Sequence, residues 1–445
     1  MSHYKPYPAY KDSGVEWLGK VPEHWQVMAI KHIVSTPITD GPHETPEFLD
    51  DGVPFVSAEA VSAGKVDFEK IRGFISREDH ERYSQKYCPQ RGDIFMIKSG
   101  ATTGVTAIVD TDEEFNIWSP LAVIRCGGRS APYFVLNFMR SRSFQEAVTL
   151  SWSYGTQQNI GMGVIGNLAV TVPPQEEQQV IAAHLDRETA RIDALIEKKT
   201  RFIEVLREKR EALITHAVTK GLDPNVKMKD SGVEWLGEVP EHWAVCKLSF
   251  RYSVELGKML DEKRITSTSL MAYLRNQDVQ WDAVNAEDLP VMDIYPEELS
   301  RYTVRAGDLL VCEGGDVGRA AIWRGENDVI GYQKALHRLR PRNDATDTAE
   351  FFFFALMAAK AKGVFEESDS KATIAHLPAE KFRQYRFAFP PAHEQREIAG
   401  HIRTHTQRLD KVLITTERSI ELLKERRSAL ITAAVTGQID LREAV

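Results

Sequence analysis

Apolar residues recur at heptad spacing in two long segments, and this pattern predicts two long amphipathic helices. In the first segment one heptad position carries apolar residues with a polar exception in the middle: Leu185, Ile192, Lys199, Leu206 and Leu213. In the second segment the equivalent position carries Ile402, Leu409, Thr416, Leu423 and Leu430. We expect the two apolar stripes to pack on each other as an antiparallel coiled coil, with the polar positions facing one another.

A second heptad position of the first helix is predicted to be buried too, at Ile181, Leu195 and Phe202. An alternative stays open, in which each helix packs on its own globular domain, because amphipathic helices usually do so. The helices should begin just after two Pro-Pro pairs and end before Gly221 and Gly437. About 39 residues at the helical rise would form a rod of about 58 Å.

The chain contains an internal duplication. The segment DSGVEWLGKVPEHW at Asp12 to Trp25 returns as DSGVEWLGEVPEHW at Asp230 to Trp243. A second match, without gaps, aligns Pro173 to Thr219 with Pro390 to Thr436. Between these matched ends the two modules diverge, apart from a strand-like pair, RGDIFMIKSG in the first module and AGDLLVCEGG in the second. We therefore predict two similar α+β modules, each followed by a long helix, with boundaries 1–174, 175–220, 221–390 and 391–445.

Composition narrows the class of protein. The 445 residues are 42% hydrophobic, enough for two or three ordinary domains. No apolar run is long enough to span a bilayer and the first residues do not resemble a signal peptide, so we expect a cytoplasmic protein. The four dispersed cysteines predict neither disulfides nor a metal site. The net charge of −8 argues against an unaided grip on phosphates, although the stretch Arg319 to Arg342 is locally basic.

Motifs for catalysis are weak. The stretch GMGVIG at 161–166 matches a dinucleotide pattern, but it follows a polar run and precedes a strand-like segment, so we predict a glycine-rich loop. His401 and His405 are spaced for one helix face, which we interpret as a hydrated surface. No nucleophile elbow or metalloprotease motif is present in the sequence. We predict no catalytic residues, no metal and no cofactor bound by this chain itself.

Polar loop residues are the remaining candidates for chemistry. Asn and Gln can bond adenine bidentately and Arg or Lys can bond guanine, whereas Ser, Thr and Lys also suit phosphates. In the first module the candidates for DNA binding are Lys98, Ser99, Thr102, Thr103, Gln157, Gln158 and Asn159. In the second module they are Lys258, Arg275, Asn276, Gln277, Arg319, Gln333, Lys334, His337, Arg338 and Lys371.

Several motifs together resemble the DNA-specificity (S) subunit of type I restriction-modification systems. They are GVEWLGKVPEHW before each module, VPPQEEQ and FPPAHEQ at the module exits, and REALITHAVTKG and RSALITAAVTGQID at the helix ends. Module two adds LGKML, YLRNQDVQW and GYQKALHRLRP, and module one adds DGPHETP. The resemblance covers nearly the whole chain.

The resemblance implies two target-recognition domains in inverted orientation, each reading half of a split, asymmetric site in double-stranded DNA, with the paired helices as a ruler. It also implies docking of two methylation subunits, which use S-adenosylmethionine for adenine-N6 transfer, and of motor-nuclease subunits, which use ATP and magnesium. The chain itself would be non-catalytic, and its partners would supply much of the phosphate grip. Two alternatives remain. One is a duplicated coiled-coil DNA-binding scaffold or regulator that acts without a methylase, and the other is a self-contained methyltransferase or nuclease, which predicts activity from the purified chain alone.

Overall fold

The computed structural model describes residues 4–62, 64–154, 158–260, 268–325, 329–366 and 376–442. The chain divides into two compact units. Unit 1 comprises Met1–Thr200 and Arg418–Val445, and unit 2 comprises Arg201–Glu417. Both units mix short strands and helices, which confirms the predicted α+β class.

Unit 1 is built around two sheets. Its strands are β1 Tyr10–Asp12, β2 Lys20–Pro22, β3 Gln26–Ala29, β4 Thr39–Asp40, β5 Val53–Val56, β6 Val61–Ser62, β7 Lys65–Val66, β8 Phe74–Ile75, β9 Ile94–Ile97, β10 Thr106–Ile108, β11 Asn116–Ile117, β12 Leu121–Ile124, β13 Ser153–Tyr154, β14 Gln158–Asn159 and β15 Ala169–Val172. The larger sheet has the order β4-β12-β9-β10-β7-β6, and a second has the order β11-β5-β8. Short helices flank them: α1 Arg77–Ser84, α2 Pro132–Met139, α3 Arg142–Leu150 and α4 Met162–Asn167.

The glycine-rich stretch at 161–166 forms most of the short helix α4 rather than the predicted loop. Gly161 precedes the helix in extended conformation, and the next strand, β15, begins two residues after the helix ends. The glycines therefore belong to a turn of helix that packs near the start of the domain and not to a phosphate-binding loop between a strand and a long helix.

Unit 2 repeats this plan. Its strands are β16 Met228–Asp230, β17 Glu238–Pro240, β18 Ala244–Lys247, β19 Tyr252–Leu256, β20 Leu270–Leu274, β21 Val279–Gln280, β22 Ala283–Val284, β23 Val291–Asp293, β24 Thr303–Val304, β25 Leu309–Cys312, β26 Ala320–Ile322, β27 Ile330–Tyr332, β28 Leu336–Pro341 and β29 Arg386–Phe389. The sheets have the orders β19-β28-β25-β26 and β23-β20-β27-β24. Its short helices are α6 Leu248–Arg251, α7 Leu299–Tyr302, α8 Ala349–Ala361 and α9 Ala379–Phe382.

The two modules share the same central arrangement despite their divergent sequences. In unit 1, β9 pairs antiparallel with β10 and β12, and in unit 2, β25 pairs antiparallel with β26 and β28. β9 and β25 are the buried strands of the RGDIFMIKSG and AGDLLVCEGG segments, with every residue of both strands buried. The loop that leaves each central strand therefore starts from an equivalent place in both modules.

The two predicted long helices are present. α5 runs over Gln175–Lys220 and α10 over Ala392–Val435. Gly221 and Gly437, with φ of 76° and 75°, follow the helix ends in the left-handed conformation that glycine adopts without steric cost. Each helix crosses from one unit to the other, because the unit boundaries fall after Thr200 and before Arg418.

Within each unit the parts of α5 and α10 run antiparallel. In unit 2, Arg207 pairs with Glu417 at 3.1 Å and Arg210 pairs with Asp410 at 3.1 Å, so one residue number rises as the other falls. In unit 1, Arg427 pairs with Asp193 at 2.8 Å. The ion pairs Arg427–Asp193 and Arg210–Asp410 are equivalent in the duplication, because Asp193 aligns with Asp410 and Arg210 aligns with Arg427. The predicted antiparallel coiled coil is confirmed.

The main core of each unit includes one end of each helix. In unit 1, Ile181 and Leu185 of α5 and Leu430 of α10 pack around the buried Trp25. In unit 2, Ile402 of α10 and Ile214 of α5 join the core around the buried Trp243. Each helix therefore packs on its own module by its first part and on the other unit's core by its last part.

The first predicted stripe is largely buried. Leu185, Ile192, Leu206, Ile402, Thr416 and Leu430 are buried, and Lys199, Leu213, Leu409 and Leu423 are partly exposed. The Thr416 hydroxyl donates to the carbonyl of Val412 in its own helix, at 2.7 Å. The second stripe is wrong beyond Ile181, because Leu195 is 40% and Phe202 46% exposed, whereas the neighbouring Ile203 is buried.

A carboxylate in the first turn fixes the entry to each long helix, and it is buried in α5 and partly buried in α10. Glu177, in the first turn of α5, accepts from the Trp25 indole at 3.1 Å and the Tyr7 hydroxyl at 2.6 Å, and lies 2.8 Å from His24. Glu394, in the first turn of α10, accepts from Trp243 at 3.0 Å and lies 2.8 Å from His242. The repeated EHW segment and the start of the following helix thus make the same contact in both copies. The position of each carboxylate near the N-terminus of its helix also favours a negative charge, because that end of the helix dipole is positive.

Candidate functional site

In module one the structure brings the predicted loop residues together. Ser99 and Asn159 form an isolated antiparallel bridge, and the Gly100 amide donates to the carbonyl of Gln158 at 3.0 Å. The Thr103 hydroxyl donates to the carbonyl of Gly100 at 2.7 Å and is buried, whereas Thr102, Gln158 and Asn159 are exposed. We call the segment Lys98–Thr103 together with Gln158–Asn159 loop cluster one. Gln157 lies outside the described residues.

A buried carboxylate holds the lysine of loop cluster one. Asp40, 1% exposed, lies 3.3 Å from the Lys98 ammonium and 2.5 Å from that of Lys86, and His43 is 3.1 Å away. Burial alone would raise the pKa of Asp40, but the two lysines outweigh it and hold this pKa below its ordinary value. Sequence reasoning missed Asp40 and Lys86, although Asp40 opens the DGPHETP motif.

An open cavity of about 280 Å³ adjoins loop cluster one, lined by residues that include Thr102, Glu59, Arg72 and Trp118. The Arg72 guanidinium lies 5.1 Å from the centroid of the Trp118 ring and bonds to Glu59 at 3.0 Å. An aromatic face beside exposed amide and hydroxyl groups suits contact with the planar, polar edges of bases. Sequence reasoning did not single out Arg72 or Trp118.

In module two the predicted residues also converge, on the ends of β20, β27 and the loop after β25. The Lys258 amide donates to the carbonyl of Tyr332 at 3.0 Å, and the Lys334 amide donates to the carbonyl of Lys258 at 2.9 Å. The Gln333 amide donates to the carbonyl of Leu274, at the end of the strand that leads to Arg275. We call Lys258, Arg275–Gln277, Arg319 and Gln333–Lys334 loop cluster two.

Asn276 is the centre of loop cluster two. Its side-chain amide donates to the carbonyl of Gly314 at 2.8 Å, and its side-chain oxygen accepts from Arg319 at 2.9 Å. Two other cations of the cluster are held by carboxylates: Lys258 by Glu298, beside the Tyr295 ring, and Arg275 by Asp278 at 2.8 Å. Lys334 and Gln277 are exposed.

Two predicted DNA-binding residues are corrected by the structure. His337 is fully buried and its Nε2 lies 2.7 Å from the carbonyl of Leu377. Arg338, 4% exposed, lies over the Tyr332 ring and donates to the carbonyl of Thr303 at 2.6 Å. Both lie on β28, a strand between β19 and β25, so their side chains pack inside the domain and do not reach a ligand surface. Lys371 lies outside the described residues.

These features define a class of protein. It is an internally duplicated α+β chain with one polar, partly basic loop cluster in each copy and a long helix after each copy. A family model described as Type I restriction modification DNA specificity domain matches residues 22–205 and 245–422. The chain belongs to this family, and the resemblance inferred from its motifs is confirmed.

Relatives match nearly the whole chain. The type I restriction enzyme EcoKI specificity subunit of Escherichia coli (strain K12) is 22% identical over 434 residues, which cover 95% of this chain and 90% of that protein. The type I restriction enzyme MjaVIII specificity subunit of Methanocaldococcus jannaschii is 20% identical and covers 95% of both chains.

Solved structures show the same fold. A chain from structural work on complex assembly and conformational transition of the type I R-M system aligns with a TM-score of 0.72 at 14% identity, covering 94% of this chain and 99% of that one. The HsdS subunit from Thermoanaerobacter tengcongensis aligns with a TM-score of 0.55 at 15% identity, covering 94% of this chain and 98% of that one. The predicted duplication of target-recognition domain and helix is therefore the architecture of the family.

Proposed function

We propose that this chain is a non-catalytic specificity subunit that binds a bipartite, asymmetric DNA sequence, one half-site for each module. The observation that carries the proposal is the pair of loop clusters. Each includes residues of the loop that follows the equivalent central strand, β9 or β25, and together they expose amide, hydroxyl and basic groups. Because the loop sequences differ between the modules, the two half-sites should differ as well.

The paired helices set the gap between the half-sites in this proposal. Two continuous helices of 46 and 44 residues supply a length that the loops cannot change. Their antiparallel pairing in each unit, with the matched ion pairs Arg427–Asp193 and Arg210–Asp410, supports a defined register.

The helices also dock methylation subunits in this proposal, and motor-nuclease subunits join the assembly for restriction. Phe202 and Val205 on α5 and Ile414 on α10 are large apolar side chains left exposed, with 66% of Ile414 accessible. Exposed apolar side chains on a paired helix favour a protein partner. S-adenosylmethionine, ATP and magnesium belong to the partner subunits, and the complex acts in the cytoplasm.

The test is to express the chain with a methylation subunit encoded beside its gene, in a host free of adenine methylation, and to map N6-methyladenine at single-base resolution. We expect a split motif with a fixed, unspecified gap. A single continuous motif would mean that only one module reads DNA. A stable complex that methylates nothing would favour the alternative, a DNA-binding scaffold or regulator that acts without a methylase.

A further inference from the structure

Lys98 in module one and Glu313 in module two occupy the same structural position. The alignment of RGDIFMIKSG with AGDLLVCEGG places each as the first residue after the central strand. The backbone contacts agree. The Lys98 amide donates to the carbonyl of Pro120 at 2.8 Å and its carbonyl accepts from Ile160 at 2.9 Å, while the Glu313 amide donates to Ala335 at 2.9 Å and its carbonyl accepts from Leu377 at 2.7 Å.

The residue that follows is fixed in the same way in both modules. Ser99 bridges to Asn159, and Gly314 bridges to His376. The backbone therefore presents the position identically, and what differs is the chemistry of its side chain. A lysine ammonium can only donate hydrogen bonds, whereas an ionised carboxylate can only accept them.

The surroundings of Glu313 leave its carboxylate available. Asp278 is bonded to Arg275 and Glu298 to Lys258, but no hydrogen bond or ion pair engages the Glu313 side chain among the residues that the structure describes. Burial raises its pKa, and the positive fields of His376 and Lys334 oppose this shift. Glu313 is partly exposed, and the carbonyl of the next residue, Gly314, accepts a hydrogen bond from the side-chain amide of Asn276, the centre of loop cluster two.

A lone carboxylate on a DNA-binding surface is unfavourable beside phosphates unless it meets a donor. In the major groove, only cytosine and adenine offer an amino group as a donor, whereas guanine and thymine offer acceptors. Adenine places its N7 acceptor beside that amino group, and N7 repels a carboxylate, so cytosine is the better partner for a carboxylate. We infer that Glu313 is a specificity-determining residue that accepts a hydrogen bond from the N4 amino group of a cytosine in the half-site of module two. This inference rests on the proposed function.

The experiment compares Glu313→Gln and Glu313→Lys with the wild type in the complex with the methylation subunit, by N6-methyladenine mapping and by competition among four duplexes that differ at one position. Glu313→Gln adds a donor, so adenine becomes acceptable where cytosine was required, and discrimination between the two falls about tenfold. Glu313→Lys, the residue of module one, should favour guanine there. The control Glu287→Gln removes an exposed charge from the same module, outside the groups whose charges act on Glu313, and should leave the motif unchanged.

The possible outcomes distinguish a failure of the proposed function from a failure of the role inferred for Glu313. A wild-type map without a split motif contradicts the proposed function itself. A split motif that Glu313→Gln leaves unchanged, a half-site made of A·T pairs alone, or an equal loss of binding to all four duplexes overturns the role of Glu313 while leaving the proposed function intact.

Discussion

Histidine is a residue type that can contact DNA, but His337 is buried and forms its hydrogen bond inside the domain. Its Nε2 lies 2.7 Å from the Leu377 carbonyl and therefore donates, which leaves Nδ1 as the unprotonated nitrogen. Burial is the main cause that lowers the pKa of His337 to about 4. The imidazole is thus neutral throughout the physiological range and works as a fixed donor between β28 and the segment before α9.

This pKa predicts how the stability of unit 2 depends on pH. Between pH 6.5 and about 4, the unfolded chain binds a proton on His337 and the folded chain does not, so the free energy of unfolding falls as pH falls. The loss across this range amounts to about 3 kcal/mol. His337→Gln retains a donor for the Leu377 carbonyl but does not titrate.

The measurement is hydrogen exchange of β25 and β28 at pH 7 and pH 4.5, in wild type and variant. We expect the wild type to lose protection in these strands at the lower pH by more than the variant does. Equal losses in the two proteins would show that other groups dominate the acid response.

The paired helices are the elements that sequence could predict best, because one heptad stripe persists over the whole length of each. Leu185, Ile192 and Leu206 are buried as expected. The second stripe went wrong at Leu195 and Phe202 because a helix of 3.6 residues per turn drifts against a seven-residue repeat, so the contact line passes to Ile203.

The same substitution at a buried and at an exposed leucine of α5 tests this burial pattern. Leu185→Ala removes a fully buried side chain from the core of unit 1 and should cost about 2–5 kcal/mol in the free energy of unfolding. Leu195→Ala makes the same chemical change at a position that is 40% exposed and should cost less than about 1 kcal/mol. Urea denaturation followed by circular dichroism measures both, and similar costs would contradict the packing described for α5.

The proposed docking of a methylation subunit on the helices predicts different effects for substitutions at two neighbouring exposed positions. Ile414→Asp places a charge on an exposed apolar position of α10, so we expect weaker binding of the methylation subunit, because a desolvated carboxylate opposes a protein interface. Thr415→Asp, one residue along and also exposed, serves as the control. Affinity by isothermal titration would check this, and equal affinities for both variants would remove Ile414 from the docking surface.

The two loop clusters could be predicted from the sequence only in part. Residue type identified Asn276, Arg319 and Gln158, which the fold does bring into clusters, but it also selected His337 and Arg338, whose strand is covered on both faces. Asp40 and Trp118 were missed because their roles depend on contacts with residues distant in sequence, such as Lys98 and Arg72. Strands of only two to six residues, as in β4 and β28, give too little periodicity to show which side chains point inward.

At the scale of the whole molecule, the net charge bears on how strongly the chain can bind DNA phosphates by itself. The net charge of −8 is consistent with loop clusters whose cations are already held by carboxylates, as Lys98 is by Asp40 and Arg275 by Asp278. Such cations are fixed in position and contribute less free charge toward phosphates. A strong grip on the DNA backbone is therefore expected of the assembly with its partner subunits.

Helix length predicts the gap in the DNA site. Inserting one heptad into both helices, after Lys199 and after Thr416, keeps the apolar stripe in phase and adds about 10.5 Å, or about three base pairs, to the gap. Methylome mapping of the variant should show both half-sites unchanged and the gap longer. An active variant with the original gap would exclude the helices as the ruler.

The division of the chain into two units also determines the order in which the units can finish folding during synthesis on the ribosome. Unit 2 is one continuous run of chain, whereas unit 1 needs Leu430, Ile431 and Val435 to close the core around Trp25. The unit that is translated first is consequently the last to finish folding, because its core is completed only after the chain has been synthesised as far as Val435. A frameshift after Glu417 would therefore damage unit 1 and leave unit 2 intact.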